Sequence, residues 1–370
     1  MARSYRVSLA TVQLWLDRAG GERLDRVDWS DRPSARHRLG RIDPGLEDGI
    51  IELRRELRET SDLGEYGATA IHAGLLARAD LPWRVPSVRT IGRVLERRGA
   101  LDGGRRIRRP APPPGWYLPD VAGRLRELDS FDIVEGLYLK GQPELGILTA
   151  ISLHGGLPGA WPAFGMRAAQ IVPALIDHWR AFGLPAYAQF DNDMRFIGST
   201  AHPDSIGAVI RLCLALGVVP VFAVPNEMGF QAAIEALNGR WQAKVWARFW
   251  EPDLAALQAR SGRWTAAVRA RSAARIEAAP ARDPFPAGPI EPWTAPGGRI
   301  VFLRRTSEAG SASVLGHCFE VDRHWPHRLV RAEVDLAVGR IDFFALRRRE
   351  PADQPLLAQR PYLIPERWYS

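Results

Sequence analysis

The stretch that decides the fold is Leu128-Asp129-Ser130-Phe131-Asp132-Ile133-Val134, an acidic segment that runs into apolar residues and predicts a strand. Two further acidic segments follow: residues 189–193 predict the end of a strand, and residues 232–238 predict a helix. Together they would bring Asp132, Asp191 and Glu235 around divalent metal. Carboxylates that bridge two Mg²⁺ ions activate an attacking oxygen and stabilise the leaving oxygen of a phosphodiester. The sequence therefore predicts a two-metal centre for chemistry on nucleic acid.

Length and composition fit a globular protein with roughly two to four domains. Of its 370 residues, 46% are hydrophobic and 25% are charged. The sequence has neither an apolar run of about 18 residues nor the apolar segment of a signal peptide. We therefore expect no membrane partner and a cytoplasmic, nucleoid-associated location. Cys213 and Cys318 lie far apart, which supports neither a disulfide framework nor a cysteine zinc site.

The charge distribution predicts a polyanionic partner, with double-stranded DNA as the expected one. The net charge is +8 and the isoelectric point is about 10.0. Phosphate neutralisation with counterion release supplies most nonspecific affinity for nucleic acid. Residues 1–118 hold 22 Arg against 16 Asp plus Glu, so most of the basic excess lies outside the acidic triad.

The N-terminal region predicts two helix-turn-helix units. The first, residues 1–38, is predicted to be a partial unit in which Ser8 caps a helix that ends at Gly20. In the second, residues 39–104, apolar stripes predict three helices, the last opened by Ser87. One face of that last helix is predicted to enter the major groove. Its residues are Ser87, Arg89, Thr90, Arg93 and Arg97. The alternative is a trihelical domain with a solvated basic face.

Proline-rich segments divide the rest of the chain. Residues 105–118 predict a stiff Arg/Pro-rich linker, and residues 278–296 predict a second, Pro-rich linker. Between them, residues 119–277 predict three strands, a helix, a strand, a helix, a strand and a helix. After the second linker, the short alternating segments of residues 297–350 predict a small antiparallel β-barrel. Residues 351–370 are predicted to be a loosely attached tail.

The middle region resembles the catalytic core of retroviral-integrase-type transposases, which include the integrases and bacterial insertion-sequence enzymes with an Asp, Asp, Glu triad. The runs that carry the resemblance are 131–134, 183–185 with 189–192, and 217–225 with 234–238. The resemblance implies an α/β ribonuclease H-like core, a mixed five-stranded sheet with helices. The preceding helix-turn-helix units and the following barrel fit the usual layout of the same family.

Residue by residue, the resemblance implies that Asp132, Asp191 and Glu235 hold two Mg²⁺ ions, for which Mn²⁺ can substitute. Asp129 is the alternative first ligand. On the long helix that carries Glu235, Arg240 and Lys244 either follow DNA phosphates or are simply solvated.

The activity that the resemblance implies is metal-dependent DNA cleavage and strand transfer by a homo-oligomer bound to DNA. One alternative is a catalytically inactive or domesticated transposase-derived DNA-binding protein. Another is a metal nuclease that cleaves without strand transfer.

Overall fold

The structure is a computed structural model that describes residues 7–30, 42–78, 82–101, 114–199, 201–225, 227, 229–290, 297–348 and 350–365. The chain divides into two compact units, residues 1–49 and 50–370. In the first unit, helix α1 spans Leu9–Ala19. The Oγ of Ser8 accepts a hydrogen bond from the backbone N of Thr11 at 3.1 Å, and Gly20 ends the helix with a positive φ of 53°. This helix was predicted. Residues 31–38 of the predicted N-terminal helix-turn-helix unit lie outside the described residues.

Three helices follow in the region predicted to be the second helix-turn-helix unit: α2 at Pro44–Thr60, α3 at Ala68–Leu76 and α4 at Val88–Arg97. Ile91 and Val94 on α4 belong to its predicted apolar stripe and are buried, as are Ile71 and Leu75 on α3. A Cβ built on Gly74 would lie 3.1 Å from the Leu53 side chain, so α2 and α3 approach closely there. The three predicted helices are confirmed, and their use in DNA binding stays a prediction.

The central sheet begins with an antiparallel trio, β1 at Leu128–Tyr138, β2 at Glu144–Ser152 and β3 at Pro158–Phe164. Two parallel strands follow on the other side of β1, β4 at Tyr187–Phe190 and β5 at Val219–Phe222. The spatial order is β5-β4-β1-β2-β3. This order and these strand directions are those of a ribonuclease H-like core, as predicted.

Helices cover both faces of the sheet. A short helix α5, Pro119–Ala122, precedes β1, and α6 at Ala168–Phe182 and α8 at Ala208–Ala215 belong to the same apolar cluster as Phe131 of β1. A one-turn helix, α7, spans Met194–Ile197. The opposite face packs on α9, Ala232–Trp241, and on α10, Leu254–Arg271, which is followed by α11, Ala273–Glu277. The two faces therefore have separate cores.

The strands after residue 297 do not form the predicted separate barrel. Strand β6, Arg299–Arg305, pairs parallel to β5, and β9, Leu329–Asp335, pairs antiparallel to β6. Strands β10, Arg340–Ala345, and β11, Leu356–Pro361, extend the same sheet to nine strands. Strands β7, Ser311–Val314, and β8, His317–Glu320, form a separate two-stranded sheet. The predicted barrel is wrong because β6 buries both of its faces and bonds to the open edge of β5.

The predicted linkers and tail also hold more structure than expected. In the first linker the described residues include Trp116, Tyr117 and Leu118, which are buried in the core, whereas residues 105–113 lie outside the described residues. In the second linker, Asp283 forms a two-way backbone bridge with Leu184. The predicted tail contains β11. Within the described residues, no helix is both long and apolar enough to cross a membrane.

Candidate metal centre

The register of β1 and β4 brings the first two predicted ligands to one place. The two strands are parallel, with Ser130 opposite Gln189. Two residues further along each strand direction lie Asp132 and Asp191, which are therefore level with each other. Side chains two apart on a strand point to the same face. Both carboxylates thus lie on the face of the sheet that α9 covers.

Asp129, the alternative first ligand, lies on the opposite face because it is three residues from Asp132. Its buried carboxylate accepts hydrogen bonds from both terminal nitrogens of Arg282, at 2.9 and 2.6 Å, and from Trp179 Nε1 at 3.2 Å. His178 Nε2 lies 3.8 Å away. Burial favours the neutral acid, but the positive charge and hydrogen bonds of Arg282 outweigh it and lower the pKa of Asp129. Asp129 is therefore engaged in a buried ion pair, which favours Asp132 as the metal ligand.

Asp132 is held by a small hydrogen-bond network. The backbone N of Ile133 donates to its Oδ1 at 2.9 Å, and Nδ2 of Asn238 donates to its Oδ2 at 2.7 Å. The Oδ1 of Asn238 accepts from the Thr149 hydroxyl at 2.7 Å, which fixes the amide orientation. Asn238 lies one turn after Glu235 on the same helix, but its bond to Asp132 was not predicted from the sequence. That bond depends on how α9 crosses the sheet, which the spacing of residues along the helix alone does not specify.

The environment of Asp132 disfavours its ionised form. Burial is the largest cause, and together with the negative charges of Asp191 and Glu235 it raises the pKa of Asp132 to about 6, against the opposing hydrogen bonds. No described Arg, Lys or His side chain forms an ion pair with Asp132 or Asp191. Uncompensated carboxylates in a partly buried site are costly, and a bound cation relieves that cost. The oxygen ligands also match those that Mg²⁺ prefers.

Asp191 lies at the end of β4 and leads into a charged turn. Its Oδ1 accepts from the backbone N of Asp193 at 3.0 Å. Burial, followed by the carboxylate of Asp193, raises the pKa of Asp191. Asp193 itself caps α7 through the backbone N of Arg195 at 2.8 Å and pairs with its guanidinium, which also reaches Glu135 at 2.5 Å. These partners occupy Asp193 and leave Asp191 as the available carboxylate.

Glu235 stands at the edge of this site. It lies in the first turn of α9 and is exposed, although its charge is close enough to raise the pKa of Asp132. Across the described ranges, no three or more His, Cys, Asp or Glu side chains are grouped so that they could hold a metal ion. The structure therefore brings Asp132 and Asp191 together and leaves Glu235 at the rim.

The predicted DNA-contacting residues of the long helix lie away from the aspartates. The predicted long helix is not α-helical throughout, because after α9 the chain forms a π-helix, Gln242–Trp246. Arg240 and Lys244 line a cavity of about 560 Å³ together with Arg54 and Arg271, and the Lys244 ammonium lies 5.2 Å from the centre of the Tyr66 ring. These cations therefore face the α2–α3 region.

The predicted DNA-reading face of α4 is exposed as expected. Ser87 caps the helix by accepting a hydrogen bond from the backbone N of Thr90 at 3.3 Å. Arg89, Arg93 and Arg97 are exposed, and Thr90 is partly buried. Arginines four residues apart lie along one side of a helix, so this side presents a row of positive charge. Whether that row contacts DNA stays a prediction.

Among solved structures, this chain is similar to several integrases. No family model matches the chain, and no curated protein matches it. The catalytic core domain of BIV integrase is 17% identical, with 38% of this chain and 82% of that chain covered at a TM-score of 0.30. A chain of the simian T-cell lymphotropic virus intasome in complex with a PP2A regulatory subunit is 14% identical, covering 78% and 91% at a TM-score of 0.34.

A third similar structure is the HTLV-2 integrase catalytic core domain in complex with magnesium. It is 12% identical, with 30% of this chain and 64% of that chain covered at a TM-score of 0.24. The ribonuclease H-like assignment of this chain rests on its own strand order and directions.

Proposed function

We propose that this protein is a metal-dependent polynucleotidyl transferase that cuts DNA and joins the cut end to a target, as a transposase or integrase does. The observation that carries the proposal is the level pair of Asp132 and Asp191 on one face of a ribonuclease H-like sheet. Burial raises the pKa of Asp191 and the charge of Arg195 lowers it in part, but this arginine forms its ion pairs with Asp193 and Glu135. Asp132, Asp191 and Glu235 would hold two Mg²⁺ ions, or Mn²⁺ as a substitute. When bound, such ions polarise the phosphodiester and stabilise its attacking and leaving oxygens.

The chain's own residues prepare this site. Asn238, fixed by Thr149, holds Asp132 in one orientation, and hydrogen bonds donated to a metal-binding carboxylate in this way hold it in place. Partial burial on the α9 face limits water around both aspartates. A preorganised, weakly solvated pair of carboxylates is suited to ions that act on a negatively charged diester.

DNA binding is assigned to two basic surfaces. The first is the exposed face of α4, formed by Ser87, Arg89, Thr90, Arg93 and Arg97. The second is the cavity that contains Arg240 and Lys244. Because strand transfer joins two DNA ends to one target, we expect a homo-oligomer on DNA.

A strand-transfer assay tests this proposal. The purified protein is incubated with duplex oligonucleotides carrying the ends that flank its gene, with Mg²⁺ or Mn²⁺, and products are resolved on a denaturing gel. Cleavage followed by joining is expected for the wild type, and loss of both for Asp191→Asn. The control is Asp177→Asn, an exposed acid paired with Arg180. Cleavage without joining indicates a nuclease, and full activity in Asp191→Asn excludes the metal assignment.

A catalytically inactive, transposase-derived DNA-binding protein is the second candidate. The exposed position of Glu235 favours it, since the described residues contain no grouped set of three ligands. This candidate predicts binding of the end duplex with no product under either metal. Titration calorimetry with Mg²⁺ alone separates the two, because only the transferase requires a metal site that Asp191→Asn removes.

A further inference from the structure

Arg304 is a cation enclosed by neutral acceptors. Its Nε donates to the carbonyl of Ser313 at 3.0 Å, and its Nη1 donates to the carbonyl of Leu303 at 2.9 Å. The guanidinium carbon lies 4.8 Å from the centre of the Phe302 ring. No described carboxylate pairs with it, and burial lowers the pKa of Arg304 to about 10. Its neighbour Arg305, in contrast, is exposed and pairs with Glu227 at 2.7 Å.

This cation lies next to the turn that follows Asp191 at the end of β4. Nη1 of Arg304 reaches the carbonyl oxygen of Ala223 at 3.5 Å, and the same oxygen accepts from Nδ2 of Asn192 at 2.7 Å. Asn192 directly follows Asp191 in the chain. Arg304 and the residue after Asp191 therefore share one acceptor. The position arises because β6 continues the sheet next to β5.

A cavity of about 500 Å³ opens over Arg304 where β4 and β5 end. Its wall includes Asn192, Ser199, Ser205 and Ser313. The loop that contributes Ser199 and Ser205 is tied down by Asp204, which accepts from His317 Nε2 at 2.8 Å and from the Tyr362 hydroxyl at 2.7 Å. Ligands of α/β sheets bind at the carboxyl ends of parallel strands. The cavity is in the size range of small-molecule sites.

We propose that this cavity binds a phosphate of the DNA backbone next to the scissile position, with Arg304 as its counter-charge. A partly buried cation without an opposite charge is costly, and an anion beside it recovers part of that cost. Guanidinium groups bind phosphate oxygens through charge-assisted hydrogen bonds. The three backbone carbonyls fix the orientation of Arg304 without neutralising it. This inference deepens the proposed function and rests on it for the identity of the ligand as DNA.

The test measures binding of the end duplex by fluorescence anisotropy in EDTA, over a series of KCl concentrations. Each phosphate contact contributes about 0.9 to the slope of log affinity against log salt. We expect Arg304→Gln to weaken binding and to reduce the slope by about one, and Arg304→Lys to retain most of it. Arg323→Gln, at an exposed turn outside the cavity lining, is the control and should leave the slope unchanged.

A second variant is needed because Arg304 also donates hydrogen bonds to backbone carbonyls, so Arg304→Gln could lose DNA binding through misfolding. Ser199→Glu brings a carboxylate into the cavity from an exposed loop and leaves Arg304 intact. We expect it to lower the slope by about one as well, with an unchanged melting temperature. A wild-type slope in Ser199→Glu, or in a folded Arg304→Gln, overturns the proposal.

The outcome also separates this site from the proposed function. If the wild type cuts and joins DNA while both variants keep its salt slope, the phosphate site is wrong and the transferase assignment stands. If the wild type makes no product but both variants lose the contact, the phosphate site stands on a DNA-binding protein and the transferase assignment fails.

Discussion

Asp129 and Asp132 lie three residues apart on one strand and have opposite environments. Alternation of side chains puts Asp129 on the α6 face, where Arg282 neutralises it, and Asp132 on the α9 face, where Asn238 holds it. The sequence favoured Asp132 from its apolar neighbours but left Asp129 open. The distinction depended on Arg282, which lies more than 150 residues away in the chain.

The ionisation of Asp132 makes a prediction about stability without metal. Its pKa is about 6 in the folded protein, against about 3.9 in an unfolded chain. Ionisation therefore opposes folding: the penalty is absent below about pH 4, grows between the two pKa values and is complete above about pH 6. In EDTA at about pH 8, we expect Asp132→Asn to raise the free energy of unfolding by roughly 1–3 kcal/mol. Urea unfolding measures it.

Near pH 4 the same substitution should have little effect on stability, because Asp132 is then protonated in the folded protein. The exposed variant Asp177→Asn controls for a general loss of negative charge. An equal gain for Asp132→Asn at both pH values would contradict the raised pKa. Added Mg²⁺ should stabilise the wild type and leave Asp132→Asn unchanged, since only the wild type has the ligand.

Asn238 is expected to act as a positioning residue for Asp132. Asn238→Ala should raise the Mg²⁺ concentration needed for half-maximal DNA cleavage by about 10- to 100-fold, the usual effect of removing a hydrogen bond that orients a metal ligand. Gln242→Ala, at an exposed position of the π-helix that follows α9, is the control. Thr149→Val should act in the same direction and Thr149→Ser should restore the wild-type value. A lower rate at unchanged metal requirement would argue for another role.

At the scale of elements, the helix that carries Glu235 shows that the spacing of apolar residues predicts a helix but not where its hydrogen-bond pattern changes. The sequence correctly predicted a helix here, and Ile234, Leu237 and Trp241 on one side of it are buried. The change to a π-helix at Gln242 was not predicted. Trp241 and Trp246 stack with their ring centres 6.5 Å apart, and a spacing of five residues suits the i→i+5 bonds of a π-turn. Two aromatic residues at that spacing were the available signal.

The Pro-rich segment after α11 is an element that composition described only in part. The prolines correctly predicted that this segment forms no regular helix. They give no information on whether the segment binds to the rest of the fold. Arg282 anchors it on Asp129, and Arg282→Met should lower the free energy of unfolding by about 3–5 kcal/mol, because it leaves a buried carboxylate unpaired. The loss should shrink as the pH falls from the unfolded pKa of Asp129 through its lowered folded pKa, because the pair stops stabilising the fold once Asp129 is protonated.

Urea unfolding measures the effect of Arg282→Met. Arg23→Met, which removes an exposed pair with Asp25, is the control and should change stability by less than about 1 kcal/mol. A loss of similar size in both variants would show that Arg282 is not an anchor.

Helix α4 makes a prediction about DNA affinity. Arg93 lies midway along the exposed face, and Arg93→Ala should reduce the slope of log affinity against log salt by about one if it contacts a phosphate. If it contacts a base instead, affinity should fall mainly for the specific end sequence. Arg323→Ala, an exposed turn residue, is the control. Unchanged affinity for both specific and nonspecific duplexes would show that the basic side of α4 faces solvent and does not contact DNA.

For the whole molecule, the order of strands and helices in the core was predictable and the course of the C-terminal strands was not. Buried runs such as that of β5 marked strands with two covered faces. The alternation in β6 marked a strand too, but alternation does not say which edge the strand will bond to. Phe302 of β6 stacks on Phe222 of β5 at 5.2 Å, a contact between residues 80 apart in the chain that a local pattern cannot encode.

The continuous sheet predicts that the core and the C-terminal strands fold as one unit. A chain that ends at residue 290 would expose the edge of β5 and uncover Phe222, so it should lack a cooperative melting transition. A chain that ends at residue 362 keeps β11 and should melt like the full protein. Circular dichroism and differential scanning calorimetry measure both. If the chain ending at residue 290 melts cooperatively at the wild-type temperature, the C-terminal strands are an independent domain, as a separate barrel would be.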